Sequence, residues 1–295
     1  MYELIKLTEN DYYVDCPSRM GIVKIGDDEV IMIDSGNDKD AGKKALKHIE
    51  ANGWKLKAVY NTHYHADHIG GNKLLQNRTG CRIFVNGIER AFTEHTILEA
   101  LLLSGGCPPE ELLTKEFHAQ SSQAELLTDD VLPEGFQIIP LPGHSVAQVG
   151  YLTPDGTAYV GDVVLAKETL SKYSVSYNYD IETHLQSLEF LRTLEAKRFV
   201  PAHAAATENI SDLIDFNIQV IKEVEEKIVE LLCDPCNFDT LIKRIFDEFG
   251  ITMSIGQYYL IGSTVKAYLI RLRKIGKVEN IIRDNEILWK AVRHE

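Results

Sequence analysis

The segment Asn61-Thr62-His63-Tyr64-His65-Ala66-Asp67-His68-Ile69-Gly70-Gly71 sets three imidazoles and a carboxylate within six residues, directly after an apolar strand-like run. In an extended stretch His63 and His65 project to one side, because side chains alternate with period two. Asp67 and His68 follow where the chain turns toward the glycine pair, so both pairs reach neighbouring points in space. Imidazole and carboxylate donors together suit zinc, with iron and manganese as the other candidates. Solvated loop histidines would not require this density and spacing.

Further donors stand at strand ends downstream. His144 lies in the Pro/Gly turn Pro140-Leu141-Pro142-Gly143-His144-Ser145, Asp162 closes Tyr159-Val160-Gly161-Asp162, and His203 closes Phe199-Val200-Pro201-Ala202-His203. Each alone is weak, since a lone histidine is more often structural and Asp162 reads equally as a helix cap. Their repeated placement at strand ends beside the HxHxDH run points to one shared site.

The elements that must position these residues read as a mixture. Strands are expected at 21–25 and 29–33 around a Gly26-Asp27-Asp28 turn, then at 56–60, 82–85, 137–141, 149–152, 158–160 and 198–200. Helices are expected at 38–52, with Gly53 as its stop, near 88–103, and at 181–194. Strand groups separated by helices predict a layered α/β fold. A boundary falls near 204–207. Ser211 opens a long amphipathic helix carrying Ile214, Ile218, Ile221, Val224 and Ile228. Past Cys233-Asp-Pro-Cys236 come a helix at 239–249, a short helical turn near 254–260, a basic helix at 263–275, and a hairpin pairing 277–282 with 287–292. Helices followed by a hairpin is the order of a winged-helix module. The expected division is therefore a catalytic unit at 1–208 and a small, mostly helical, winged-helix-like unit at 209–295.

Composition narrows the function classes. With 295 residues, 44% of them hydrophobic and 25% charged, the chain is an ordinary globular one. A formal charge of −13 argues against nucleic-acid binding by the whole surface. The charge is uneven: 236–295 holds 10 basic and 7 acidic side chains, net +3, against −16 for the rest. Lys266, Arg271, Arg273, Lys274 and Lys277 form either a basic face for phosphates or a solvated helix surface. Five cysteines are odd in number and sparse, which fits reduced thiols; the lone CxxC lacks the second pair of a four-thiolate zinc site. No apolar run reaches the ~20 residues of a membrane span, and the start lacks a secretory pattern, so a cytoplasmic protein without a membrane partner is expected.

Taken in order, these stations resemble the metallo-β-lactamase superfamily over about residues 1–205. They are Asp34 in Met32-Ile33-Asp34-Ser35-Gly36, the HxHxDH run, His144 in a Gly-His turn, Asp162 in Gly-Asp, and His203. The resemblance implies an αββα sandwich with the site at one edge of two sheets. It further implies two divalent cations, zinc first, one held by His63, His65 and His144, the other by Asp67, His68 and His203, with Asp162 between them. Asp34 would be a supporting residue. Asp67 would be catalytic, aiming a bridging hydroxide. The family often has Gly-His-Gly around its last histidine, whereas this chain has Ala202-His203-Ala204; small neighbours keep room for the site, and the altered loop bears on substrate preference.

A full HxHxDH run together with Asp162 resembles the glyoxalase II-like, lactonase and ribonuclease-type members. The expected activity is hydrolysis of a small thioester or ester. The alternative is a phosphodiesterase or endoribonuclease with RNA held by the C-terminal unit, and a third reading is a non-catalytic nucleic-acid-binding regulator. The expected partner is a small-molecule substrate, with RNA as the alternative and a homodimer compatible with the sequence. Tyr173, Tyr177 and Tyr179 follow Asp162 closely enough to line the mouth.

Overall fold

A computed structural model of the chain describes residues 2–172 and 174–292. Tyr173 therefore lies outside the described residues. Among those described, no helix is long and apolar enough to cross a membrane.

The N-terminal run of short apolar stretches forms one sheet in chain order: β1 (Glu3–Lys6), β2 (Asp11–Asp15), β3 (Met20–Lys24), β4 (Glu29–Ile33), β5 (Lys55–Tyr60), β6 (Arg82–Val85) and β7 (Glu125–Leu126). The first four pair antiparallel, and β4 to β7 are parallel. A second sheet has the order β11-β10-β9-β8, built from β8 (Gln137–Pro140), β9 (Val149–Leu152), β10 (Thr157–Leu165) and β11 (Arg198–His203).

Period two along β4 shows how the layers arise. Val30 and Met32 point outward into a cluster with Ala41, Ala45, Leu46 and Ile49 of α1 (Lys39–Ala51) and Leu75 of α3 (Asn72–Thr79). Ile31 and Ile33 point inward against Val149, Tyr151, Tyr159 and Val200 of the second sheet. The far face of that sheet, through Ala158 and Val160, meets Leu188 and Leu191 of α7 (Ile181–Thr193) and Ile214, Ile218 and Ile221 of α8 (Ser211–Leu231). The result is the expected αββα sandwich. Burying one such aliphatic side chain contributes roughly 1.5–3 kcal/mol, so a one-residue slip of β4 would invert its whole apolar pattern.

β1, β2, β7 and α3 have no counterpart among the expected elements, and others differ from expectation. The helix expected near 88–103 is two, α4 (Glu89–Glu94) and α5 (Ile97–Ser104), broken where His95 leaves helical geometry with φ −130°. Lys167–Lys172, where no element is expected, is a helix, α6. The strand expected at 158–160 runs on to Leu165 through register shifts after Tyr159 and Gly161, so Asp162 sits inside β10 at an irregularity rather than at its end. The turn near 254–260 and the basic helix at 263–275 are a single helix, α10 (Ile255–Lys274), which follows α9 (Phe238–Glu248). Ser254 caps it by accepting from Gln257 N, and buried Ile261, Val265, Tyr268, Leu269 and Leu272 outweigh the low helix propensity of Gly262. The hairpin β12 (Val278–Arg283) and β13 (Glu286–Ala291) closes the chain.

Val265, Tyr268, Leu269 and Leu272 of α10 lie in the same apolar cluster as Val160 of β10 and Leu188 of α7. The C-terminal helices and the second sheet thus share a core.

Candidate metal centre

The HxHxDH segment leaves β5 under tight control. Thr62 N and Oγ1 each donate to the Asp34 carboxylate at 2.7 Å, and Val149 N donates to Thr62 O at 2.9 Å. His65 then precedes the single-turn helix α2 (Ala66–Ile69), which carries Asp67 and His68. Ser35 N donates to His68 O at 2.8 Å and anchors this turn to the end of β4. Gly70 and Gly71 follow because the backbones nearly touch: a Cβ at Gly71 would lie 2.4 Å from Ser35 O, and one at Gly70 would lie 2.5 Å from the Asn37 carbonyl carbon.

Two groups of donor atoms result. His63, His65 and His144 form one, and Asp67, His68, Asp162 and His203 the other; within each, the donor atoms all lie within 4.8 Å of one another. Nε2 of His63 and of His144 stand 2.9 and 3.0 Å from Nδ1 of His65. Asp162 touches imidazoles of both groups, with Oδ2 3.5 Å from His144 Nε2 and 3.2 Å from His203 Nε2, and Oδ1 3.2 Å from His68 Nε2. Asp67 Oδ2 lies 3.1 Å from His203 Nε2. All seven sequence-predicted residues are therefore brought together.

These residues fit a divalent cation. Zinc–nitrogen bonds of about 2.0–2.1 Å in tetrahedral geometry put donors roughly 3.3 Å apart, close to the separations seen. His68 Nε2 and Asp162 Oδ1 are buried 3.2 Å apart, yet neither makes a well-formed hydrogen bond to the other or to any other group, an arrangement a bare protein site rarely tolerates. The ring nitrogens turned away are engaged: His144 Nδ1 lies 3.1 Å from Tyr177 O, His203 Nδ1 2.8 Å from Pro17 O, and His68 Nδ1 2.8 Å from Asp34 Oδ2. Such outer partners fix the tautomer and leave the opposite nitrogen free to ligate. Burial, and then the neighbouring imidazoles, push His63 and His65 well below the usual histidine range, so both are neutral donors. For Asp162 burial works upward, but His203 and His68 against it hold its carboxyl well below the usual range.

Asp34 takes the supporting place expected of it. It sits at φ +60°, a left-handed geometry that costs an L-residue roughly 1–2 kcal/mol, and its contacts to Thr62 and His68 hold it there. Replacing Asp34 by asparagine keeps its shape but removes the charge behind His68. Metal affinity, measured by chelator competition, is expected to fall about 10–100-fold.

Several contributors escaped the sequence reading. Ser18 Oγ donates to Asp67 Oδ2 at 2.6 Å. Glu89, fully buried, accepts from Tyr64 N at 3.0 Å, Ser145 Oγ at 2.7 Å and Ala147 N at 2.6 Å; burial pushes its pKa up to about 7 against these donors. Neither has a local signal, since both act across long sequence separations. Gly143, at φ +118°, lets the His144 turn pass the α7 backbone, where a Cβ would come 2.3 Å from His184 N. Tyr177 does stand at the site, with its ring 5.2 Å from His65 and 5.8 Å from His144; Tyr179 is exposed, and its N donates to His144 O at 3.1 Å.

The sequence model of the metallo-beta-lactamase superfamily matches residues 13–203, a span that takes in all seven donors. The chain belongs to the metallo-beta-lactamase superfamily. Within it, the chain is similar to a hydroxyacylglutathione hydrolase of Methylococcus capsulatus, 30% identical over 155 residues, covering 52% of this chain and 49% of that protein. It thus spans about half the length of the hydroxyacylglutathione hydrolases it matches. A beta-lactamase-like protein 2 homolog of Drosophila melanogaster is 22% identical over 280 residues, covering 91% of this chain and 83% of that one, so this similarity runs through the C-terminal helices. Two solved metallo-beta-lactamase-type structures share the fold over 98% of this chain. A family protein from Thermus thermophilus has TM-score 0.68, 18% identity and 97% of its own length covered. A beta-lactamase domain protein from Burkholderia ambifaria has TM-score 0.73, 16% identity and 94% covered.

Proposed function

We propose that the chain is a hydrolase that works with two divalent cations, zinc in the first instance, on a small thioester or ester. The observation that carries this reading is the contact of one carboxylate, Asp162, with imidazoles of both donor groups. His63, His65 and His144 would hold one cation, Asp67, His68 and His203 the other, and Asp162 would serve both. Such a pair, when bound, polarises the scissile carbonyl and lowers the pKa of a water toward neutrality.

The protein's own contribution is placement. Asp67 is the more open carboxylate of the cluster, its side chain 37% exposed against 7% for Asp162. It can accept a proton-sharing hydrogen bond from the attacking water and aim its lone pair at the carbonyl carbon. Ser18 holds the Asp67 carboxylate through Oδ2, the oxygen that also faces His203, and the Tyr177 ring walls the His65–His144 side against bulk solvent. The similarity to hydroxyacylglutathione hydrolases, whose name denotes cleavage of an acyl-glutathione, supports an acyl substrate.

The 209–295 segment is proposed as a winged-helix-like unit that also covers the site. Tyr259 and Leu260 of α10 pack with Tyr177 and Phe117 on the cluster of Ala100, Leu103 and Leu112. Its basic face is smaller than the sequence suggests, because Arg271 is paired with both Glu182 and Glu225. This favours an acyl substrate over RNA.

A substrate panel tests the reading: a thioester, an ester, a bis-phosphodiester and single-stranded RNA, offered to the full chain with metal and after chelation. Thioester turnover that stops on chelation and returns with zinc is expected. RNA cleavage in place of acyl turnover, or acyl turnover indifferent to chelation, would overturn it.

A further inference from the structure

Glu89 stands at the first position of α4, on neither of the loops that carry the donor histidines, and is 0% exposed. Its two oxygens nevertheless reach both loops. Oε2 accepts from Tyr64 N, the residue between His63 and His65, at 3.0 Å. Oε1 accepts from Ser145 Oγ at 2.7 Å and from Ala147 N at 2.6 Å, immediately after His144. The adjoining Asn86 Nδ2 donates to Ala147 O at 2.9 Å, tying the same loop to the same segment.

We infer that Glu89 is a positioning residue for the His63–His65–His144 group. Its carboxylate is the joint that sets the HxH loop and the Gly-His loop in register, so that three ring nitrogens meet at one point. The inference rests on the reading of these imidazoles as ligands.

The chemistry of the side chain supports the assignment. Three donors address two oxygens and no donor is required of Glu89, a demand that the carboxylate meets once ionised, above its pKa of about 7, and a neutral amide cannot. Glutamine has one carbonyl oxygen; its amide N–H₂ would face either Tyr64 N–H or the Ser145–Ala147 side. One loop would then be released while the volume stayed the same. Charge-assisted bonds of this kind are stronger and more directional than neutral ones, which suits a part that fixes geometry. The other donor group has supports that Glu89 does not touch, Ser18 at Asp67 and Pro17 O behind His203, while Asp34 serves both groups, directly behind His68 and through Thr62 behind His63. The effect of Glu89 should therefore be confined to one group.

The experiment uses the full chain stripped of metal and compares wild type, Glu89→Gln, Ser145→Ala and Asp34→Asn. Cobalt(II) is titrated against a competing chelator and followed by its visible absorption. Imidazole ¹H–¹⁵N spectra and thermal midpoints are recorded on the metal-free proteins. Glu89→Gln is expected to weaken one cobalt site about 10–100-fold and leave the other within about threefold, whereas Asp34→Asn, which reaches His68 directly and His63 through Thr62, should weaken both. In the metal-free spectra, Glu89→Gln should shift the His63, His65 and His144 signals and spare His68 and His203. Ser145→Ala, which removes a single donor, should move His144 most and keeps the test alive if Glu89→Gln does not fold. Equal weakening of both cobalt sites by Glu89→Gln, or unmoved His63, His65 and His144 signals, would overturn the assignment. Wild-type protein that binds no cobalt would instead overturn the two-cation reading, and the imidazole shifts would still decide the role of Glu89.

Discussion

Asp162→Ala is expected to abolish hydrolysis while the chain stays folded. The Asp162 carboxylate is the group in contact with His144, His68 and His203 together, so its removal takes away the charge both cations would share. Loss of such electrostatic stabilisation typically costs on the order of 10³-fold in rate, or about 4 kcal/mol of transition-state stabilisation. Folding should persist because the imidazoles left behind can shed their protons and remain as neutral groups. The measurements are kcat/KM on the preferred acyl substrate, bound metal per chain, and circular dichroism. Turnover within about tenfold of wild type would remove Asp162 from the centre of the mechanism.

The second large effect is mechanical. Gly71→Ala would place a methyl group 2.4 Å from Ser35 O and 2.9 Å from Gly42 Cα. Both obstacles are backbone and neither can rotate aside. Overpacking of a tight site usually costs about 1–3 kcal/mol and at times more; with two backbone obstacles, about 3–5 kcal/mol is expected, at the exceptional end for single substitutions. The denaturant midpoint should fall with the slope unchanged. Activity should fall further than stability, because the strain displaces the turn carrying Asp67 and His68. Gly53→Ala is the control: its φ is +73°, and no atom lies within 4 Å of the added carbon. A loss there of about 1 kcal/mol reflects backbone preference alone. If Gly71→Ala costs no more than Gly53→Ala, the close approach is not what requires glycine.

The donor residues were legible in the sequence because ligation restricts residue type: only a few side chains can hold a cation, and their clustering stands out against composition. The layers were legible because period two along β4 and the 3.6-residue period of α1 mark which face is buried. What stayed hidden lies beyond any local window. Ser18 and Asp67 are 49 residues apart, and Glu89 and Ala147 are 58 apart, so nothing periodic joins them. Gly262 reads as a break when propensity is weighed without the apolar partners that surround Val265 and Leu272. The continuation of β10 beyond Val160 is hidden for a related reason. An irregularity at Gly161 interrupts the pattern that the eye follows, and the same irregularity carries Asp162 into the cluster.

The apolar body common to α10, α7 and β10 has a consequence for entry of substrate. A roof that shares its oil with the floor cannot swing open on a hinge without wetting Val160, Leu188 and Leu272 at once, which would approach global unfolding in cost. Admission must then depend on small excursions of rim side chains. In hydrogen exchange, amides of α10 and β10 should exchange together and late.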